Sequence, residues 1–301
     1  MKIQVDYSCP IAYNIGIYIT THIIVYTQQR IHHSSYIITQ GGIHNMETTI
    51  YAVINQKGGV GKSTTAEALS AGLFLKGFKT LAIDLDAQGN MSYTAKASTE
   101  GSTALGVLMG EVRPEVAIQH TDNSGDIIAA SKALAGADAF IKETGKEYRL
   151  KEALESLQGM YDYIIIDTPP ALGILTINAL TACSSVIIPA QADIYSLQGI
   201  EQLAETIKPV RKYCNPSLTI AGILLTRYSP RAVLSREVAE IAEQLAARLG
   251  TKVFRTAIRE NISVKEAQIS QTSLFDYAPN SNAAKDYQAF IEELLLTTER
   301  N

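Results

Sequence analysis

Residues 56–64 read Gln-Lys-Gly-Gly-Val-Gly-Lys-Ser-Thr, between an apolar run of strand length at 50–54 and a helical pattern at 64–76. Glycines at 58, 59 and 61 let successive backbone N–H groups turn inward around an anion, where a Cβ would clash or forbid the dihedrals. A helix starting at Lys62 points its positive end at the same place. Lys62 then reaches terminal phosphates, and the Ser63 hydroxyl supplies a ligand for Mg²⁺. The strict phosphate-loop pattern needs glycine at 56. This chain has Gln56 there, followed by an extra lysine, Lys57.

Two further segments complete such a site. Residues 83–90 (IDLDAQGN) end a second strand with Asp84 and Asp86, and alternate residues of a strand share a face. Residues 164–170 (IIIDTPP) form an apolar strand that ends in Asp167, and the proline pair breaks it there. Carboxylates at strand ends beside a phosphate cradle suit the water shell of Mg²⁺ and the placing of an attacking water.

The rest of the chain sets the fold class. Apolar runs at 80–85, 161–167, 185–189 and 218–226 alternate with helical patterns, notably at 196–213 and 232–249. Continuous Val/Ile/Leu runs suit strands buried on both faces, hence a parallel sheet with crossover helices. The expected architecture is α/β, a doubly wound, mostly parallel sheet with helices on both faces. Ligands in such sheets bind at the carboxyl ends of the strands. Residues 92–150 are less regular, and helices with long loops over one sheet edge are expected there.

Residues 1–45 differ from all that follows: they are rich in Ile, Tyr, Thr and His and nearly free of charge. Their most apolar stretch is interrupted by Asn14, Thr20, Thr21 and His22, so it falls short of a membrane span. A basic leader region and a small-residue cleavage site are both missing. The expectation is a poorly ordered or spurious extension over 1–45, with Met46 the natural start and one ATPase domain over 46–301. Cys9, Cys183 and Cys214 are far apart and in no metal-binding spacing, which favours a reducing cytoplasm. A net charge of −4 argues against a generally polybasic nucleic-acid binder but leaves room for a local basic face.

KGGVGKST, DLDAQGN and YIIIDTPP together resemble the ParA/Soj branch of the deviant Walker A ATPases. The similarity continues through LTRY at 225–228, LSREV at 234–238, IREN at 258–261, FDYAP at 275–279 and AAKDY at 283–287. It covers nearly everything from Tyr51 onward.

The resemblance implies an ATP- and Mg²⁺-dependent ATPase that works as a nucleotide-sandwich homodimer. In it, Lys57 is the signature lysine that reaches the partner's phosphates, and Lys62 holds phosphates in cis. Gly58, Gly59, Val60, Gly61 and Thr64 complete the loop. Ser63 binds the metal, Asp84 and Asp167 sit in its outer shell, and Asp86 orients the hydrolytic water. Thr226 and Arg227 match a segment lining the adenine site. Slow turnover until a ParB-like partner acts, nonspecific binding of double-stranded DNA, and a cytoplasmic, nucleoid-associated location follow from the same resemblance. Arg231 and Arg259 match DNA-contacting arginines. They lie in a stretch, 227–265, with eight basic residues against four acids.

Rival readings share the phosphate loop. A MinD-like membrane-cycling ATPase needs a basic amphipathic C-terminal helix, whereas this chain ends FIEELLLTTERN. An iron–sulfur electron carrier needs paired cysteines, and a tyrosine kinase a Tyr-rich tail. Neither feature is present in the sequence. A cargo-positioning ATPase of the same branch remains the alternative, because the cargo is read by the partner.

Overall fold

The computed structural model describes residues 48–122, 124–191, 193–229 and 233–298, and four short strands ahead of them. Those four are β1 (Tyr18–Ile19), β2 (Ile23–Tyr26), β3 (Ser35–Thr39) and β4 (Gly42–Asn45), paired antiparallel in sequence order. Most of the remaining residues before Thr48, Met46 among them, lie outside the described residues, and so does the expectation about where the natural chain starts.

The main sheet has seven strands: β5 (Thr49–Val53), β6 (Thr80–Asp84), β7 (Ile118–His120), β8 (Asp126–Ile128), β9 (Tyr163–Asp167), β10 (Ser185–Gln191) and β11 (Thr219–Thr226). Their order across the sheet is β11-β10-β5-β9-β6-β8-β7. All neighbours are parallel except β7 and β8, which form an antiparallel pair at one edge. The mostly parallel, doubly wound sheet expected from the sequence is therefore present. The two edge strands were not expected; at three residues each they are too short to leave a periodic signal.

Alternation along the strands divides the core. Ile50, Ala52 and Ile54 pack with Ile164, Ile166, Val186 and Ile188 on one face. Tyr51 and Val53 pack with Ile165, Ile187 and Leu224 on the other. That second face is covered by the helix Lys62–Leu75 and by Tyr287, Phe290 and Ile291 of the C-terminal helix Asn282–Thr298. Because both faces are buried, nearly every residue of the central strands is apolar, and their polar endings stand out. Those endings build the site.

Candidate active site

β5 runs into the loop, and the helix Lys62–Leu75 follows with Gly61 as its N-cap. Gly59 and Gly61 have φ values of 75° and 88°, a left-handed backbone that glycine adopts without strain. A Cβ at Gly58 or Gly59 would meet no protein atom within 4 Å, so it would project into the open cradle. From below, Thr226 at the end of β11 donates its hydroxyl to the Val60 carbonyl at 2.8 Å. Asn55 braces the loop's start: it accepts from the Lys57 N–H at 3.0 Å and donates to the Pro189 carbonyl at 2.7 Å.

The acids converge through sheet register. Asp84 and Asp167 are directly paired on β6 and β9, and Asp167 is also paired with Val53, just ahead of the loop. Both are fully buried. Asp84 is well anchored: it accepts from the Ser92 N–H (2.9 Å), the Ser92 hydroxyl (2.7 Å) and the Asp86 N–H (3.1 Å). Burial nevertheless lifts its carboxyl to about 6, against the pull of those hydrogen bonds. Asp167 is less satisfied. Neither of its carboxylate oxygens has a partner within hydrogen-bond geometry. Burial and the neighbouring Asp84 push its pKa well up, while the nearby Ser63 hydroxyl and Lys62 counter only part of the rise.

β6 ends at Asp84, so Asp86 lies beyond the strand in a turn whose Gln88 N–H donates to its carboxylate at 3.0 Å. This differs from a shared pleat face, and it places Asp86 on the wall of an open cleft while Asp84 stays beneath. Lys62 is buried and donates to the Lys57 carbonyl at 3.0 Å. Desolvation lowers its pKa, opposed by Asp167 and Asp86. A buried cation beside buried, unpartnered carboxylate oxygens is the electrostatic setting that a metal ion and a polyphosphate would complete.

The cleft has a volume of about 660 Å³. Gly58, Gly59, Gly61, Lys62, Ser63, Thr64, Asp86 and Arg227 line it. Val60, Thr226, Asp84 and Asp167 are buried behind that lining. Thr226 thus supports the loop, and Arg227, with a left-handed φ of 48°, turns the chain into the cleft. Asn90, Tyr93, Pro170, Lys265 and Gln268 also line it. Of these, Tyr93, Lys265 and Gln268 come from helices whose approach no local pattern announces. A second cleft of about 730 Å³ opens at the amino ends of β5, β10 and β11. Parallel sheets bind ligands at the opposite end, where the glycine loop and the acids are.

Lys57 points elsewhere. Its ammonium contacts both oxygens of Asp193, at 2.6 and 2.5 Å. Asp193 caps the helix Ile194–Tyr213 by accepting from the Ser196 N–H at 2.9 Å. Partial burial raises the Asp193 pKa, but the hydrogen bonds from Lys57 and Ser196 outweigh it and hold the group below the usual carboxylate range. Arg259 is also committed: its guanidinium grips Asp286 through Nε (2.9 Å) and Nη2 (2.7 Å). Arg231 lies outside the described residues.

A family profile described as an AAA domain matches residues 48–220. The sporulation initiation inhibitor protein Soj of Bacillus subtilis is 40% identical over 250 residues, covering 81% of this chain and 97% of that protein. The chain belongs to the Soj/ParA family of partitioning ATPases. The chromosome partitioning protein ParA of Caulobacter vibrioides is 42% identical over 224 residues, 72% of this chain and 83% of that protein. Among solved structures, cobyrinic acid a,c-diamide synthase from Mycobacterium smegmatis with bound ADP and magnesium superposes with a TM-score of 0.72. It is 35% identical and covers 82% of this chain and 94% of that one. The septum site-determining protein MinD from Pyrococcus horikoshii, complexed with Mg-ADP, gives a TM-score of 0.67 at 26% identity, covering 82% of this chain and 96% of that one.

This Soj/ParA relative is an ATPase that uses ATP and Mg²⁺. The residues present fit both. The open glycine cradle, the desolvated Lys62 and the Thr64 hydroxyl suit a triphosphate. The Ser63 hydroxyl and the unpartnered oxygens of Asp167 suit the metal and its water shell. Among the described residues no cluster of three or more His, Cys, Asp or Glu forms a metal cage. Mg²⁺ needs none, because it keeps several waters and takes substrate phosphate oxygens.

Proposed function

We propose that this chain is a DNA-partitioning ATPase whose ATP-bound homodimer holds duplex DNA without sequence preference and releases it after hydrolysis prompted by a ParB-like protein. The observation that carries the reading is 36–42% identity to relatives named for partitioning or as Soj, over more than four-fifths of their length.

In this reading the chain's own groups divide the work. The loop N–H groups and the desolvated Lys62 hold the phosphates, as fixed donors that stabilise developing charge. The Ser63 hydroxyl would hold Mg²⁺ directly, and Asp84 and Asp167 would hold its waters; the ion would supply neutralisation of phosphate charge. Asp86, on the cleft wall, orients the attacking water. Lys57 leaves Asp193 and reaches the second subunit's phosphates, which ties turnover to assembly. Arg259 belongs to the DNA-facing surface, in a stretch of sequence that also carries the exposed Arg248 and Arg255, and Arg231 is assigned to that surface by its family match alone. The location is cytoplasmic, on the nucleoid. Among the described residues no helix is long and apolar enough to cross a membrane.

The test is binding to unrelated duplex DNA with ATP, ADP or no nucleotide across a salt series. Sequence-blind binding that requires ATP and falls steeply with salt supports the reading. ATP-dependent dimers that ignore DNA in every state would overturn it in favour of a cargo-positioning ATPase.

A further inference from the structure

Gln268, on the helix Ile262–Ile269, donates from Nε2 to the Thr64 hydroxyl at 3.1 Å. Thr64 directly follows Ser63, so this amide is tied to the phosphate loop across 204 residues of sequence. With Nε2 turned to the Thr64 hydroxyl, the other end of the amide, Oε1, faces away from it. Its Oε1 has no partner among the described residues and is not among the buried atoms.

The cleft around Gln268 has apolar walls. Tyr93, 55% exposed, and Ile269, 77% exposed, both line it. The Gln271 amide donates to the Tyr93 carbonyl at 3.0 Å, which holds these two walls together. Large apolar groups left this open beside a phosphate loop match the usual composition of a small-molecule site: apolar walls with a few placed polar atoms.

We propose that Gln268 selects the base: its Oε1 accepts a hydrogen bond from the exocyclic amino group of adenine. Guanine and hypoxanthine carry an acceptor oxygen at the corresponding ring position. Two acceptors facing each other leave both unpaired, and a site built to pair one polar group rejects an analogue that cannot pair. Lys62 and the glycine loop grip phosphate whatever the base, so discrimination among triphosphates comes from outside the loop, and Gln268 is placed on the cleft wall to contribute it.

The test is equilibrium binding of ATP, ITP and GTP, each with Mg²⁺, to the full chain and to Gln268→Leu and Gln268→Glu, read by competition with a fluorescent nucleotide. The unaltered chain is expected to favour ATP over ITP by about tenfold or more. Gln268→Leu, which has no acceptor, collapses the ATP/ITP ratio towards one. Gln268→Glu weakens all three through its charge but keeps the preference, because it still accepts. Equal affinity of the unaltered chain for ATP and ITP overturns the proposal. So does a Gln268→Leu variant in which all affinities fall together and the ratio survives, the result of a merely structural role.

Discussion

The Lys57 ammonium and the Asp193 carboxylate meet at 2.5–2.6 Å within one chain, so the extra lysine of the phosphate loop is held by its own subunit. The contact joins the loop after β5 to the segment after β10, two strands that lie side by side in the sheet. Any role for Lys57 on a second subunit requires this pair to open first. Asp193→Asn removes the charge but keeps an oxygen to cap the helix Ile194–Tyr213, where an alanine would cost about 1 kcal/mol. A partly exposed pair of this kind contributes about 0.2–1 kcal/mol. A homodimer opens two such pairs, so the variant is expected to self-associate with ATP at about two- to thirtyfold lower protein concentration, measured by sedimentation. Unchanged association in ATP would mean that the pair does not restrain Lys57.

Asp167 and Asp84 set a pH dependence for the nucleotide-free protein. Both folded-state pKa values are raised, with Asp84 at about 6 against an ordinary 3.8. Groups raised in this way bind protons more tightly folded than unfolded. Their destabilising effect is therefore absent below pH 3.8, grows as pH rises, and is complete only above the folded values. Asp167→Asn should raise the melting temperature at pH 8 and change little at pH 4. It should also weaken Mg²⁺-dependent nucleotide binding, since the unpartnered oxygens are lost. Thermal melts across pH, with and without Mg²⁺ and nucleotide, check both. A variant no more stable than its parent at pH 8 would contradict the electrostatic account.

Much of this site was legible because its signals are local. The glycine spacing at 58, 59 and 61 and the strand endings at Asp84 and Asp167 each lie within a few residues of the groups they position. Asp193 was not legible: it lies 136 residues from Lys57, and only the pairing of β5 with β10 brings them together. Gln268 and Tyr93 escaped for the same reason, since the approach of two helices creates their proximity. Thr226 has a structural partner that the motif does not announce: a buried hydroxyl must find an acceptor, and the Val60 carbonyl is the one it meets.

Glu67, on the loop helix one turn beyond Ser63, is buried, and its Oε1 lacks a partner. Burial lifts its pKa to about 7, against a hydrogen bond with Ser273 and with help from the Asp276 charge. Its cost to the fold therefore appears as pH rises from the ordinary carboxylate value of 4.5 through 7. Glu67→Gln keeps the shape and removes the titration. A gain of about 1 kcal/mol, or roughly 2–4 °C in melting temperature, is expected at pH 8 and none at pH 4. Equal shifts at both pH values would point to packing instead of charge.

Arg259 illustrates how a structural partner qualifies a DNA contact. Asp286 takes both guanidinium edges, and the Arg259 N–H also donates to it at 2.9 Å, while the side chain stays 41% exposed. A neutralised arginine contributes less to phosphate binding than a free one. Two substitutions separate the roles. Arg259→Ala removes both clamp and charge, and for a phosphate contact it should reduce the slope of log affinity against log salt by about 0.9 per subunit. Asp286→Asn keeps a hydrogen-bonding partner but frees the positive charge, so DNA affinity in ATP should rise while the arginine stays in place. If Asp286→Asn instead weakens DNA binding as Arg259→Ala does, the clamp shapes the surface and Arg259 does not touch phosphate. The exposed Arg248 and Arg255 then become the residues to replace next.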